Sequence, residues 1–297
     1  MTTTFDIDAL RAMIIGIEHG TFARAAIELG RSQSAISMKL KKLERQSGVR
    51  LFVRKGRGLV PTEAGEAFAN YARRIIALND EAAKSVGANV APETIRLGMP
   101  QDYFDDVMPA TLRAFSAKHP NVHVNIRAGN NHTISEEIEA GRLDGAIAFF
   151  PKSAADKGQL LCDLPLLWVA HKDMQEPDGD SPVPLVLFNH PCLFRQAALA
   201  ALDGAGERWR TVLTTPSLPA VWSALRSKFG VGVRIGHNLP DEILDVSDWR
   251  RLPPMPPVEL RLLQSKTASP LARELTVMLK ETTLGTMDKQ CPAAVAR

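Results

Sequence analysis

Gly20, Gly30 and Gly48 cut the first fifty residues into segments that can fold only against one another. Ile7, Leu10, Ile14 and Ile17 recur at intervals of three and four, so a helix runs from about Asp6, its cap, to His19 and stops at Gly20. Thr21 caps a second helix, FARAAIEL, ending at Gly30; its stripe of Phe22, Ala25, Ala26 and Leu29 is slim enough for a neighbouring helix to approach closely. Ser32 caps a third, QSAISMKLKKLERQS, which buries Ile36, Leu40 and Leu43 and stops at Gly48. Helices this short are marginal alone in water, so the three must share one core.

The third helix keeps a polar face opposite its apolar one. Gln33, Ser37 and Lys41 lie at spacing four, with Ser34 and Met38 beside them. Two short helices followed by a third with small polar residues at its exposed N-terminal end meet the needs of a helix-turn-helix. Gln33 can bond adenine bidentately, Ser34 and Ser37 can serve either base of a pair, and the Met38 methyl can touch a thymine methyl. Arg31, Lys41 and the helix starts at Thr21 and Ser32 suit phosphates. After Gly48, VRLFVRKGRGLVPT reads as two short strands around a turn, a wing with Arg54, Lys55 and Arg57 at its tip. The charge is distributed to match. The whole chain carries only +3, yet residues 31–57 hold nine bases and one acid, residues 1–90 are net +5 and the remainder −2. Charge alone also admits a solvated helix face beside a basic loop.

The run TFARAAIELGRSQSAISMKLKKLERQSGVRLFVRKGRGLVPTEAGE resembles the DNA-binding region of LysR-type transcriptional regulators. The residues that carry the likeness are Ala25, Ala26, Gln33, Ser34, Ala35, Ile36, Ser37, Leu43, Glu44, Gly48, Leu51, Phe52, Arg54, Thr62, Ala64 and Gly65. Met38 departs from the polar or basic residue common there. The resemblance implies a sequence-specific regulator that binds a double-stranded DNA operator, with residues 1–60 as a winged helix-turn-helix domain.

Residues 61–90 read as a linker helix and hinge. Ala64, Phe68, Tyr71, Ile75, Leu78 and Ala82 follow at intervals of 4, 3, 4, 3 and 4, an a/d seam that favours pairing with another helix. Spacing alone leaves open a single helix packed on its own domain; the resemblance implies a dimer through this helix and a tetramer beyond it. Gly87, Ala88, Asn89 and Pro92 read as the hinge.

From residue 91 strands and helices alternate. TIRLGM, a helix through Phe115 with Pro109 as a kink or delayed start, and VHVNIRA come first. A helix with Thr133 and Glu136 as a capping box, ending at Gly141, leads to the apolar strand DGAIAFF. Such βαβ units predict a parallel sheet covered on both faces. A further series holds PLVLF, FRQAALAALDGAG, WRTVLTT, LPAVWSALRSKFG, VGVRI, VELRLLQS and a helix from Pro270 to about Leu284. The expected architecture is therefore α/β, with lobe one at about 93–162 and 266–285 and lobe two at about 163–265. It resembles the family's effector-binding domain, itself like a two-lobed periplasmic binding protein. Ligands in open α/β sheets sit beyond strand C-termini, which nominates Gln101, Asp102, Asn130, Asn131, Phe150, Thr215 and Ser217 as effector contacts. An unpaired Asp102 would repel a dianion.

The rest narrows the function by exclusion. Hydrophobic residues make up 45% and charged ones 23%, an ordinary globular composition. Cys162, Cys192 and Cys291 form no CxxC pair, no HExxH occurs, and Pro120 interrupts His119 and His123, so neither metal nor cofactor is expected. Cys192 beside a helix start and Arg195 is a candidate redox thiol. No GxSxG or GxxxxGK[ST] motif points to an enzyme. The acidic N-terminus does not read as a secretory leader, so a cytoplasmic protein is expected, with no membrane role. The expected partners are operator DNA, an unidentified small-molecule effector, further copies of the chain and RNA polymerase. The rival readings are a small-molecule binding protein with an incidental basic N-terminus and a regulator that needs no ligand.

Overall fold

The computed structural model describes residues 4–55, 58–85, 93–129, 131–152, 157–179 and 181–290. The chain divides into two compact units, residues 1–93 with 139–142 and residues 94–138 with 143–297. In the first, α1 (Ile7–Glu18) starts at Asp6, whose carboxylate accepts from the Ala9 amide at 3.2 Å. Burial pushes the Asp6 carboxyl up, but the Ala9 amide and the Lys39 ammonium together hold it below its usual value. Thr21 stands at the N-cap of α2 (Phe22–Glu28) without making the expected side-chain cap bond. Ser32 does cap α3 (Gln33–Ser47), accepting from the Ala35 amide. Gly48 ends that helix at φ +73°, a left-handed conformation that costs a side-chain-bearing residue energy. Leu10, Met13, Ala25, Ala26, Ile36, Leu40 and Leu43 close around one core, joined by Leu51 and Phe52.

The wing is an antiparallel hairpin of β1 (Phe52–Lys55) and β2 (Gly58–Pro61). Thr62 then starts α4 (Glu63–Ser85), its hydroxyl donating to the Arg50 carbonyl at 2.8 Å and accepting from the Gly65 amide at 3.0 Å. A Cβ on Gly65 would stand 2.0 Å from the Leu51 carbonyl oxygen, so only glycine lets α4 begin this close to the wing. Ala69 and Ala72 of α4 are buried against the core. The expected hinge residues Gly87, Ala88, Asn89 and Pro92 lie outside the described residues.

The second unit begins with β3 (Thr94–Met99), a 3-10 turn at Gln101–Tyr103, and α5 (Val107–Lys118). Pro109 sits in the first turn of α5 behind the Asp106 cap, where a missing amide costs nothing, so it causes neither the kink nor the late start expected of it. Then come β4 (His123–Ala128), α6 (Asn131–Glu139), β5 (Gly145–Pro151) and β6 (Gln159–Leu164). Because α6 starts at Asn131, Thr133 lies inside the helix and is not its cap. The chain continues with β7 (Leu167–His171), β8 (Val183–Phe188), α7 (Leu193–Gly204), β9 (Trp209–Thr215) and α8 (Leu218–Arg226). It closes with β10 (Gly232–Arg234), β11 (Ile243–Asp245), β12 (Val258–Gln264) and α9 (Pro270–Gln290), the last running beyond the expected Leu284.

Lobe one is a five-stranded sheet in the order β4-β3-β5-β12-β6. Only β4, β3 and β5 run parallel; β12 is antiparallel to both its neighbours, which corrects the all-parallel expectation. It also moves the lobe boundary. β12 belongs to the first sheet and not to lobe two, so the chain crosses after Leu164 and returns before Val258. Lobe two holds the parallel pair β8-β9 and the antiparallel set β10-β7-β11, linked by a bridge between Leu185 and Val231. A continuous core including Tyr103, Phe115, Ile147, Trp168, Leu185 and Leu275 runs through both lobes.

Candidate functional site

On the first unit, α3 presents the two faces its sequence requires. Ile36, Leu40 and Leu43 are buried, whereas Arg31, Ser32, Gln33, Ser34, Ser37, Met38 and Lys41 are exposed, Met38 at 67%. Thr21 is exposed at the start of α2. The Ser32 and Ser34 hydroxyls lie 2.9 Å apart, so Ser34 is oriented by its neighbour. Lys39 turns the other way, reaching Asp6 and Asp8 at 3.4 and 3.3 Å. Met38 and Lys41 line a shallow depression that continues through Glu44, Arg45, Gly48, Val49 and Arg50. Arg45 and Arg50 thus extend the basic surface past the residues nominated from sequence; Arg45, four after Lys41, was the detectable one. Arg57 lies outside the described residues, as do the side chains of Arg54 and Lys55.

The linker helix divides its nominated residues. Ala64, Tyr71, Ile75, Leu78 and Ala82 are exposed, with Tyr71 at 60% and Leu78 at 67%. Phe68 is partly buried in its own domain, edge-on to Phe5 with ring centroids 4.9 Å apart. It is therefore not free to serve the seam to the extent that spacing suggested.

On the second unit, a cavity of about 400 Å³ opens where the two lobes meet. Lobe one lines it with Pro100, Gln101, Asp102, Ala128, Gly129 and Phe149, and lobe two with the segment Phe188 to Phe194, Pro216 and Arg234. Gln101 crosses the gap, its Nε2 donating to the Pro216 carbonyl at 2.9 Å and its Oε1 accepting from the Leu218 amide at 2.8 Å. Asp102 is not unpaired, as the sequence argument assumed: its Oδ1 lies 3.5 Å from Nη1 of Arg234. Behind them, Asp106 Oδ2 lies 3.0 Å from His237 Nε2. Tyr103 is fully buried between Phe149 and His237, and burial, then the Asp102 carboxylate, push its phenol well above the usual range.

Other nominations need correction. Phe150 points away from the cavity into a cluster with Ile134, Ile138, Ala148 and Leu263, while its neighbour Phe149 faces the opening. Successive side chains in a strand face opposite sides, and β5 is apolar on both. Thr215 and Ser217 do not line the cavity. Thr215 Oγ1 accepts from the Ser217 amide, and Ser217 Oγ caps α8, leaving Pro216 between them as the lining residue. Asn130 and the side chain of Asn131 lie outside the described residues. Arg234, Phe188 and Phe194 were missed, because nothing local in the sequence marks residues that only the folded chain brings together. Cys192 lines the cavity half-buried, and Cys162 is buried with its Sγ 3.4 Å from Met287 Sδ; neither forms a disulfide among the described residues. Among the described residues no group of three or more His, Cys, Asp or Glu could hold a metal, and no helix is long and apolar enough to cross a membrane.

Two family models match the chain. That of the LysR substrate binding domain covers residues 88–283, and that of bacterial regulatory helix-turn-helix proteins of the lysR family covers residues 7–66. The chain is similar to the HTH-type transcriptional regulator DgdR of Burkholderia cepacia, 33% identical over 259 residues and 87% of each chain. It is also similar to the HTH-type transcriptional regulator PecT of Dickeya dadantii, 30% identical over 84% of this chain and 79% of that one. The crystal structure of ArgP from Mycobacterium tuberculosis has the same fold, with a TM-score of 0.69 at 20% identity, covering 95% of this chain and 98% of that one.

Proposed function

The chain belongs to the LysR family of DNA-binding transcriptional regulators with an effector-binding domain, which are not enzymes, and from that premise we propose how its residues divide the task. Gln33, Ser34, Ser37 and Met38 read base edges in the major groove, while Arg31, Lys41, Arg45, Arg50 and the wing bases Arg54, Lys55 and Arg57 hold phosphates or the minor groove. Thr21 and Ser32 place helix starts against the backbone. Two copies pair through Tyr71, Ile75, Leu78 and Ala82 of α4, so that two half-sites are gripped together. The cavity between the lobes takes a small-molecule effector, and the regulator acts in the cytoplasm, where its DNA is.

The observation that carries this reading is the exposed polar start of α3 directly opposite a fully buried face. A helix that served only the domain core would not leave Gln33 and Met38 bare beside a row of bases. Selection from random duplex DNA supplies the preferred site, on which variants are titrated. Gln33→Ala is expected to lose about 1 to 3 kcal/mol of discrimination at one base step and to leave non-specific binding unchanged. Arg50→Ala is expected to weaken specific and non-specific binding alike and to make the salt dependence shallower. A Gln33→Ala protein that selects the wild-type site with wild-type preference overturns the assignment of α3.

A further inference from the structure

The reading of the cavity as an effector site leaves the chemistry of the ligand open, and two independent features of lobe two bear on it. One is the start of α7. Its N-cap position is Cys192, whose side chain makes no cap hydrogen bond, so the first-turn amides from Leu193 onward have no side-chain acceptor. Cys192, Leu193 and Phe194 all line the cavity. The start of α8 is in a different condition, since Ser217 Oγ accepts from the Ala220 amide and Gln101 Oε1 from the Leu218 amide. Of these two helix starts, the protein satisfies one with its own side chains and leaves the other facing the opening.

The second feature is Arg234. It is 4% exposed and lines the same cavity, with its guanidinium carbon 4.7 Å from the Phe188 ring centroid and 4.9 Å from that of Phe194. The rings hold the cation in place at the helix start. Its Nε is spent on the Val233 carbonyl at 2.7 Å. Its Nη1 is buried with no hydrogen-bond partner; Asp102 at 3.5 Å neutralises charge there but is too distant to accept. A buried guanidinium N–H left without an acceptor is costly unless something supplies one.

Resting on the effector-site reading, we infer that the ligand is a carboxylate monoanion whose head accepts from the first-turn amides of α7 and from Arg234, with an apolar body against Phe149, Pro100 and Pro216. The charge count selects a single charge. Asp102 offsets Arg234, and what remains is the fractional positive end of the α7 dipole, about half a unit. A dianion would bring its second charge toward Asp102 and the apolar lining, where the described lining residues offer His190 but no lysine or second arginine to answer it. The cavity volume lies at the small end of the range for small-molecule sites.

The test uses the full chain and three ligands of one shape that differ at the head: benzoate, benzamide and benzylamine. Thermal unfolding is followed against ligand concentration. Benzoate is expected to raise the melting temperature saturably, and the other two are not. Cys192→Asp places a carboxylate at the α7 cap, where it accepts from the same amides; this variant is expected to melt no lower than wild type and to lose the benzoate response. Arg234→Met combined with Asp102→Asn removes the cation without stranding the acid, and is expected to weaken benzoate at least about tenfold. A benzoate response unchanged in both variants overturns the site. A response to benzamide or benzylamine in place of benzoate overturns the anion while leaving the cavity as an effector site. No response to any of the three overturns the inference together with the reading beneath it.

Discussion

Glu44 is the single acid among the bases of residues 31–57, and its partners decide whether it opposes DNA or builds the fold. Its Oε1 accepts from the Leu51 amide at 2.9 Å and the Phe52 amide at 3.1 Å, so it fixes the entry to the wing. Hydrogen bonds to a charged group each contribute about 1.5 to 3 kcal/mol, and both here share one oxygen. Glu44→Ala is therefore expected to cost about 3 kcal/mol in urea unfolding, and Glu44→Gln, which keeps an acceptor, about half of that. A Glu44→Ala protein within about 0.5 kcal/mol of wild type would show the bonds to be immaterial. The contrast with Ser32 and Gly48 marks what a sequence reveals at this scale. Ser32 and Gly48 act on amides and dihedrals within a few residues, so their roles are legible. Glu44 and Arg234 act on partners that only the folded chain brings near, and no spacing rule could announce them.

At the scale of elements, α4 shows one helix serving two surfaces. Ala69 and Ala72 are buried, and Ile76 packs partly on the α1 core, whereas Tyr71, Ile75 and Leu78 are exposed on the remaining face. Seam spacing was legible because it is periodic, but it could not separate Phe68, which the domain core claims. The same limit applies to β5. A strand buried on both sides is apolar at every position, so its sequence does not say whether Phe149 or Phe150 meets the cavity. β12 likewise reads as a strand, while its place beside β5 is a matter of pairing across the fold. The two surfaces of α4 make separable predictions. If two α4 helices pair as proposed, Ile75→Glu sets like charges against each other along the seam, at a cost of several kcal/mol to association. Sedimentation is expected to show a shift to monomer, with helix content unchanged and DNA affinity lowered. The adjacent change Ile76→Glu is expected to lower the melting temperature of the DNA-binding unit instead. A folded Ile75→Glu protein that sediments as wild type does would remove α4 as the pairing surface.

In the second unit taken whole, one short segment ties the lobes together three times. Gln101 reaches Pro216 and Leu218, Asp102 faces Arg234, and Asp106 faces His237. All three crossings start from the 3-10 turn and the cap that follow β3, so a displacement of that segment changes every one of them. An effector can shift the lobes only if it binds one arrangement more tightly than another, and Asp102 and Arg234 stand both in these crossings and at the cavity wall. Gln101 is the crossing that can be cut without leaving a buried charge, because it is neutral and lies at the rim. Gln101→Ala removes the acceptor from the Leu218 amide and the donor to Pro216, while Ser217 still caps α8. With a net contribution of about 1 kcal/mol for each of the two hydrogen bonds, local opening at the start of α8 becomes about thirtyfold easier. Hydrogen exchange is the direct measurement: the Leu218 amide is expected to exchange about thirtyfold faster, whereas amides in the β12–β6 pair, none of whose residues lines the cavity, keep their wild-type rates. An unchanged rate at Leu218 would mean that the lobes are held by the remaining crossings alone. A uniform acceleration across lobe one would mean that Gln101 supports the fold of that lobe and not its closure on the other.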